Sequence, residues 1–444
     1  MIASRQGSMV VAEGITPKDI INCDVVIVGG SIAGNYLSSL LSKTRLNIHV
    51  IEEHGSIGHP MKCAGIVSSK ILRIMRIPPR LIVNRVMEAR IAGPGGKSIT
   101  VRTRDKPIVL DRIEFDRHFM AIARDNGVTY HLEEKVASIE HAADEIVATS
   151  TKAVYHAKVL VGCDGASSMT GRIEGVVNEF ITGKQSIISV AIGKKSMQIG
   201  QGQCELHFDP EWNDLFCWVI PTGNAALRVG LAAKNNVARK FDSFFKARFG
   251  NTLDELVRQG EIKNSTFTGG TIPVGIMKPC AFDRCLLVGD AACQVKASTG
   301  GGIVMLAIAA KYAARAIQEA FQKQDFSRRF FKKHYQTLIL KRIGLTLRMH
   351  LAIHEGIKFF TAADFRFLIE LGNQPMIKRE LARSADMDFP VAFIIRILGY
   401  PMFYTWLLRF LLRNHQILRV LFRIIALGKE PRKSEQRSRT RIPS

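Results

Sequence analysis

The chain has 444 residues, of which 47% are hydrophobic and 23% are charged, a composition typical of folded globular proteins. Its 62 Lys and Arg residues outnumber 39 Asp and Glu residues, so its formal net charge is +23. This surplus indicates an anionic partner such as nucleic acid, a membrane surface, a phosphorylated substrate or an acidic protein. Eight scattered cysteines, with no C-x-x-C pair, predict reduced thiols and no metal site. The sequence has no uninterrupted run of about 18 apolar residues, so we predict no membrane-spanning helix.

The first predicted element is a strand, turn and helix at residues 23–41, CDVVIVGGSIAGNYLSSLL. Its turn fits the G-x-G-x-x-G dinucleotide template at Gly29 and Gly34, but Ser31 occupies the middle position. Backbone N–H groups at a helix N-terminus suit a pyrophosphate. The next predicted strand ends at Glu52, where an acidic residue can bind ribose hydroxyls. The turn alone leaves open a purely structural Gly-Gly turn.

The middle of the chain predicts a helix followed by a sheet. Apolar residues recur at helical spacing over 112–127, and Gly127 ends the segment as a C-cap. Short strands at the spacing of an antiparallel sheet fill 182–274, apart from a helical insert at about 236–259. From about residue 322 onward we predict an almost wholly helical chain.

Two aspartates follow apolar strands outside this sheet. Asp164 follows VLVGC, and Asp290 follows CLLVG, with three glycines at 300–302 opening a long helix. An aspartate there can accept hydrogen bonds from sugar or ribityl hydroxyls, and a helix N-terminus stabilises the negative charge of a reduced flavin. Together with the first turn and Glu52, these features favour a dinucleotide site over chance loop residues.

The C-terminal part of the chain is both basic and apolar. If residues 403–427 form one helix, an arc of about 120° carries a cationic stripe and apolar residues cover much of the rest. The stripe consists of Arg409, Arg413, Gln416, Arg419 and Arg423. This pattern is typical of an interfacial helix on anionic lipid, although a core-packing helix with a solvated edge also fits it.

A second basic segment, 328–348, has seven cations and no acidic residue. No recognition motif accompanies this charge, so we predict no nucleic-acid binding. A polyprenyl lipid with a phosphate head group explains the apolar and cationic features together. An anionic membrane surface or an acidic electron carrier would also fit the charge.

These motifs identify a family. The chain resembles the geranylgeranyl reductases, which are FAD-dependent enzymes of the para-hydroxybenzoate-hydroxylase type. The resemblance runs from about residue 23 to 330 and rests on EEHGSIGHPMKCAG (52–65), DRIEFDRHF (111–119), LFCWVIP (215–221) and GDAACQVKASTGGGI (289–303). Where such reductases usually have Gly, Gly and Pro, this chain has Ser31, Cys293 and Ala297. Phe216 and Ile220 stand for a family Tyr and Phe.

The resemblance implies FAD as the cofactor and, with the motifs above, assigns its site. The predicted cofactor-binding residues are Gly29, Ser31, Ala33, Gly34, Glu52, Cys63, Ala64, Arg112, Val136, Asp164, Asp290, Gly301, Gly302 and Ile303. Cys63 is the candidate catalytic residue, on the flavin or substrate side, and Trp218 and Pro221 are expected to wall the substrate cavity. A lone cysteine or tryptophan is otherwise more often an inert core residue.

The predicted fold is α/β, with a Rossmann-like FAD-binding domain, an inserted antiparallel β-sheet substrate domain and a helical C-terminal region. The predicted boundaries are a flexible N-terminus at 1–22, the FAD-binding domain at 23–181 and 275–325, the substrate domain at 182–274, a helical, basic and apolar region at 326–428, and a disordered basic tail at 429–444. The inserted sheet would supply the second wall of a ligand pocket.

The expected function is FAD-dependent reduction of double bonds in geranylgeranyl chains of membrane lipids or their precursors. An FAD-dependent monooxygenase acting on an apolar substrate is the alternative enzyme, and a basic lipid-binding or nucleic-acid-binding protein is the alternative without catalysis. The electron donor, NAD(P)H or a reduced ferredoxin-like carrier, stays open. We expect a cytoplasmic protein that associates peripherally with membranes.

Overall fold

The computed structural model describes residues 19–102, 105–190, 199–212, 214–223, 225–426 and 428. The tail predicted at 429–444, and residues 1–18 of the predicted flexible N-terminus, lie outside this part of the chain. Residues 19–22 instead begin the first strand, where Asp19 pairs with Ala153. That strand therefore starts four residues before the predicted domain boundary at 23.

In the described part of the chain all strands end by Leu287, and from Ile303 onward the regular elements are helices. The strands are β1 Asp19–Val28, β2 Ile48–Ile51, β3 Ile66–Val67, β4 Ile82–Arg85, β5 Glu88–Ala92, β6 Ser98–Val101, β7 Ile108–Leu110, β8 Thr129–His131, β9 Val136–His141, β10 Ile146–Ser150, β11 Ala153–Gly162, β12 Phe180–Val190, β13 Gln203–His207, β14 Cys217–Pro221, β15 Ala226–Ala233, β16 Ile262–Pro273, β17 Ala281–Phe282 and β18 Cys285–Leu287. The helices are α1 Ile32–Leu41, α2 Ile71–Ile74, α3 Arg112–Asp125, α4 Met169–Ile173, α5 Val237–Phe249, α6 Leu253–Arg258, α7 Ile303–Lys323, α8 Arg328–Phe331, α9 Thr337–Ile339, α10 Leu345–Ile357, α11 Ala362–Asn373, α12 Pro375–Ser384, α13 Val391–Ile397, α14 Pro401–Arg413 and α15 Gln416–Ile425.

An eight-stranded sheet forms the centre of the molecule. Its core strands run in the order β18, β11, β1, β2, β8, and neighbouring strands among them are parallel. The apolar runs at the ends of β1 and β11 are fully buried, as expected for parallel strands covered on both faces. Because the strands are parallel, their carboxyl ends meet at one edge. Glu52, Asp164 and Asp290 follow β2, β11 and β18 at that edge.

A seven-stranded sheet stands beside the first, in the order β16, β12, β15, β14, β13, β5, β6. Its pairs are antiparallel except β5 with β13, which is parallel. Two of its strands, β5 and β6, come from the range predicted for the FAD-binding domain, and β12 begins at Phe180. The predicted inserted sheet is therefore completed by strands from an earlier part of the chain. A small third sheet consists of β3, β7 and β4 and packs against both.

The C-terminal region is helical, as the sequence predicts. The chain from α8 to α10 is helical throughout, with π-helical turns at Lys332–Gln336 and Leu340–Gly344. In the described residues no single helix has the length and apolar character needed to cross a membrane. Only α13 and α14 taken together reach that length and composition, and they are bent by 99°.

The prediction of one helix over 403–427 is wrong. The helix ends at Arg413 and a new one begins at Gln416. The Asn414 side chain donates to the Phe410 carbonyl at 2.9 Å, a local bond that competes with continuing the helix. The apolar face of α15 packs on α10 and buries Ile417, Val420 and Ile424. The predicted cationic stripe is thus divided between two helices.

Candidate functional site

A cavity of about 920 Å³ opens where the carboxyl ends of the parallel strands face the second sheet. Sequence-predicted residues that line it are Gly29, Ser31, Ala33, Glu52, Cys63, Ala64, Arg112, Val136, Asp164, Trp218, Asp290, Gly301, Gly302 and Ile303. Gly34 and Pro221 do not line it. Residues far apart in sequence therefore converge on one space, while the role of each of them stays a prediction.

The turn between β1 and α1 requires glycine at two positions. Gly29 has φ +104°, and a Cβ there would lie 2.5 Å from the Cys163 carbonyl oxygen. A Cβ on Gly34 would lie 2.0 Å from the Gly29 carbonyl oxygen. Gly34 therefore acts by packing, since it lets α1 approach the end of β1 and direct its N-terminus into the cavity.

The N-terminus of α1 suits an anionic group. Ser31 is the N-cap in an extended conformation, and its side chain makes no capping hydrogen bond. The Ser31 side chain therefore takes none of the backbone donors of the first helical turn, of which the Ile32 N–H interacts with the Asp116 carboxyl. The helix dipole favours a negative group at this end. A pyrophosphate fits this donor set, with the exposed Ser31 hydroxyl beside it.

Glu52 fastens the end of β2 to the same turn. Its Oε2 accepts a hydrogen bond from the Gly30 backbone N–H at 2.7 Å, and its Oε1 accepts from the His54 backbone N–H at 3.0 Å. The residue is 9% exposed. The His54 ring Nδ1 also pairs with Oε1. Because a carboxylate can accept about four hydrogen bonds, an acceptor position is left on Oε2 for a ribose hydroxyl.

Two buried arginines lie behind the Cys63 turn. The Gly65 N–H donates to Cys63 Sγ at 3.4 Å. Arg228 of β15 donates from Nη1 to the Ala64 carbonyl at 2.7 Å, which ties this turn to the second sheet. Arg112 donates to Asp116 at 2.6 Å, and its Nε has no partner among the described residues. Arg228 was not predicted, although it is a lone cation within the apolar strand ALRVGLAA.

Trp218 and Pro221 lie on opposite faces of β14. Side chains alternate along a strand, so residues three apart cannot face the same side. Trp218 and Ile220 line the cavity, and Pro221 faces away from it. A Cβ on Gly230 of the neighbouring strand would lie 2.6 Å from the Trp218 ring, so this glycine makes room for the indole.

Asp290 lies beside the N-terminus of α7. A Cβ on Gly302, the N-cap of that helix, would lie 3.3 Å from Asp290 Oδ1. Burial raises the pKa of Asp290 to about 6, and the nearby charge of Arg112 opposes this shift. The Asp290 carboxyl, a hydrogen-bond acceptor, and the N-terminus of α7 therefore lie together on one wall of the cavity. This arrangement suits a ribityl chain and a flavin ring.

The raised pKa of Asp290 predicts a pH-dependent stability of the FAD-free chain. The carboxyl loses its proton near its ordinary value of 3.8 when unfolded, but only near pH 6 when folded. Its contribution to stability is therefore complete below pH 3.8 and lost as the pH rises through 6. We expect the free energy of unfolding of Asp290→Asn, measured by urea denaturation relative to wild type, to be at least about 1 kcal/mol higher at pH 7 than at pH 4. Asp125→Asn, at an exposed carboxyl, is the control, and an equal gain there would contradict the prediction.

Glu52→Gln should weaken FAD binding at least about tenfold, because the hydrogen bonds of the carboxylate become weaker neutral ones. Quenching of flavin fluorescence on titration of the FAD-free chain measures the dissociation constant. Glu114→Gln is the control, since Glu114 pairs with Arg117 at 3.0 Å on the surface and does not line the cavity. Equal losses in both variants would exclude a specific role for Glu52.

Comparison with known proteins supports the predicted family. An uncharacterized protein of Methanocaldococcus jannaschii is 25% identical over 375 residues, which cover 82% of this chain and 90% of that protein. The digeranylgeranylglycerophospholipid reductase of Thermoplasma volcanium is 27% identical over 345 residues, which cover 72% of this chain and 83% of the reductase. Similarity to proteins with this name confirms the predicted resemblance to the geranylgeranyl reductases.

A solved structure confirms the predicted fold class. A geranylgeranyl bacteriochlorophyll reductase-like protein from Thermoplasma acidophilum superposes with a TM-score of 0.73 at 21% identity, over 88% of this chain and 100% of that one. At that identity the likeness concerns the fold. Residues 22–309 match the family described as FAD binding domain, and this range is more than half of the chain. The chain therefore belongs to the FAD binding domain family and is a flavoprotein.

Proposed function

We propose that the chain is an FAD-dependent reductase that saturates double bonds in geranylgeranyl chains of membrane lipids or their precursors. One observation carries this proposal: a single cavity runs from the dinucleotide cradle at Glu52 to walls of apolar side chains. These walls come from the second sheet and from the C-terminal helices. They include Leu206, Leu215, Phe216, Ile272, Phe393 and Ile394. The names of the curated relatives support the same substrate class.

The chain's own residues would hold the cofactor and the lipid. FAD, when bound, supplies the hydride that adds to one alkene carbon. The first turn of α1 and Glu52 would bind its pyrophosphate and ribose, and Asp290 and Gly302 its ribityl and ring end. Apolar walls bury a hydrocarbon chain, which is worth about 25 cal/mol per Å² of apolar surface removed from water. Cys63 and Trp218 would lie beside the reacting carbons.

Anaerobic reduction of a lipid tests this function. The purified protein is given dithionite-reduced FAD and a geranylgeranyl glycerophospholipid, and the product is analysed by mass spectrometry. We expect a gain of two hydrogens for each double bond reduced, with no dependence on oxygen. A product that forms only with O₂ and carries an added oxygen would identify the monooxygenase instead. Parallel reactions with NADH, NADPH or a reduced ferredoxin identify the electron donor.

We also propose that the protein works in the cytoplasm at a membrane surface. Large apolar side chains are exposed on the last three helices: Ile395 is 65% exposed, Leu412 is 70% exposed and Phe422 is 60% exposed. Exposed arginines, Arg409 and Arg419, lie on the same helices. Apolar side chains beside cations suit an interface with anionic lipid. An acidic electron carrier could use the exposed cations of 328–348.

Replacing Leu412 and Phe422 together by Gln should reduce pelleting with anionic phospholipid vesicles at least about tenfold, since two apolar side chains no longer enter the lipid. Co-sedimentation at low salt measures the bound fraction. The matched control replaces Val177 and Phe180, which are 66% and 44% exposed elsewhere on the chain, by Gln. Unchanged pelleting of the Leu412/Phe422 variant would contradict the membrane assignment.

A further inference from the structure

One corner of the apolar cavity is charged. Lys296 Nζ donates to Asp388 Oδ1 at 2.6 Å, and Lys70 forms a second ion pair with Asp386. Asp105 adds a third carboxylate, and the ligand atoms of the three acids all lie within 4.8 Å of one another. These three acids and Lys296 line the cavity. The corner is assembled from segments that are far apart in sequence.

Asp388 is the innermost of these acids. It is 0% exposed, and its Oδ2 has no hydrogen-bond partner among the described residues. Lys296, which is 3% exposed, also donates to the Met387 carbonyl at 3.1 Å. Leaving a buried charged oxygen without a partner is unfavourable, because the oxygen has lost its hydrogen bonds to water. Such a group is expected where a ligand or a reaction uses its charge.

The Asp388–Lys296 pair lies against the loop proposed to hold the flavin ring. The Lys296 backbone N–H donates to the Gly301 carbonyl at 3.2 Å. A Cβ on Gly301 would lie 3.1 Å from Lys296 Nζ. Gly302, the next residue, is the N-cap of α7. The Lys296 ammonium therefore lies beside the place where hydride transfer is proposed, and the Asp388 carboxylate is held next to that ammonium.

The charged corner is rich in carboxylates. Asp388 pairs with Lys296 and Asp386 pairs with Lys70, while Asp105 accepts hydrogen bonds from the Ser68 and Ser69 hydroxyls. His350 adds no positive charge at neutral pH, because burial and then the charge of Lys296 lower its pKa to about 4. Its Nε2–H donates to the Asp388 backbone carbonyl at 3.1 Å, and its Nδ1 accepts from the Ser298 hydroxyl at 2.6 Å. In a chain with a net charge of +23, this corner favours a positive charge.

We propose that Asp388 is a catalytic residue whose carboxylate stabilises the positive charge that develops on the alkene, and that Lys296 is its positioning residue. The inference rests on the proposed reductase function. The alkene receives a hydride, with its electron pair, from reduced FAD at one carbon, and a proton that comes from water at the other. As the proton bonds, the branched carbon becomes electron-poor until the hydride arrives. Asp388 forms no bond and transfers no proton, and acts through its fixed charge.

Equilibrium binding of a charged analogue tests the proposal. The probe is a geranylgeranyl-chain lipid in which a tertiary ammonium nitrogen replaces one branched alkene carbon, and its reference is the saturated hydrocarbon of the same shape. The FAD-loaded wild type should bind the ammonium probe at least tenfold more tightly than the reference. Asp388→Asn should lower this preference about tenfold. A wild type without the preference, or an Asp388→Asn variant that retains it, would overturn the proposal.

A second variant should move the preference in the opposite direction. Lys70→Met removes a cation from the corner, while Asp386, with a side chain 25% exposed, stays accessible to water and keeps its charge. The preference for the ammonium probe should therefore rise about threefold. This variant also carries the test if Asp388→Asn does not fold, because a decrease or no change would contradict the charge assignment.

The matched control is Asp364→Asn. Asp364 is a buried acid of the same helical region, it pairs with Arg413 at 2.6 Å, and it does not line the cavity. Its loss should leave the ammonium preference unchanged, and an equal loss there would assign the effect to a loosened helical region.

With the alkene substrate, Asp388→Asn should lower kcat with KM and the FAD midpoint potential unchanged. A wild type that neither reduces nor binds the lipids refutes the proposed function, whereas lipid reduction without charge preference refutes this inference alone.

Discussion

The fold depends on one contact that leaves no room for a side chain: the Cα of Gly34 lies against the carbonyl of Gly29. This contact lets α1 start directly behind β1, so that the helix N-terminus points into the cavity. Glu52 reaches the same turn from β2 through the Gly30 N–H. A larger residue at position 34 would push the helix away, and the donors of Ser31 and its neighbours would no longer converge with Glu52.

Charges inside and outside the molecule follow opposite rules. Cations outnumber acids in the chain as a whole, whereas the cavity collects acids: backbone N–H groups hold Glu52, and the buried Lys296 holds Asp388. Arg228 is the opposite case, a buried cation: the backbone carbonyls of Ala64 and Leu110 accept hydrogen bonds from its guanidinium group. Buried charges are thereby kept solvated by the protein itself, in positions that water would otherwise have to fill.

Local signals in the sequence predicted the cradle well. The turn at 29–34, the helix over 112–127 and the strand-end Asp290 each depend on neighbouring residues, and the structure has these elements. The pairs Lys296–Asp388 and Arg228–Ala64 could not be predicted, since each joins segments whose meeting depends on the whole fold. The helix break at Asn414 has a local cause, but the apolar residues on both sides keep helical spacing and so predicted one continuous helix. The alternation of side chains along β14 was enough to predict that Pro221 and Trp218 face opposite sides.

The loop at 386–389 joins α12 to α13 and is fastened to the rest of the chain by Lys70, Lys296 and His350. Detaching the last helices would therefore break contacts that also form a wall of the cavity. A ligand that fills the cavity makes the last helices harder to detach, and whatever holds those helices in place tightens the binding of the ligand. By thermodynamic reciprocity, the two effects have the same free energy.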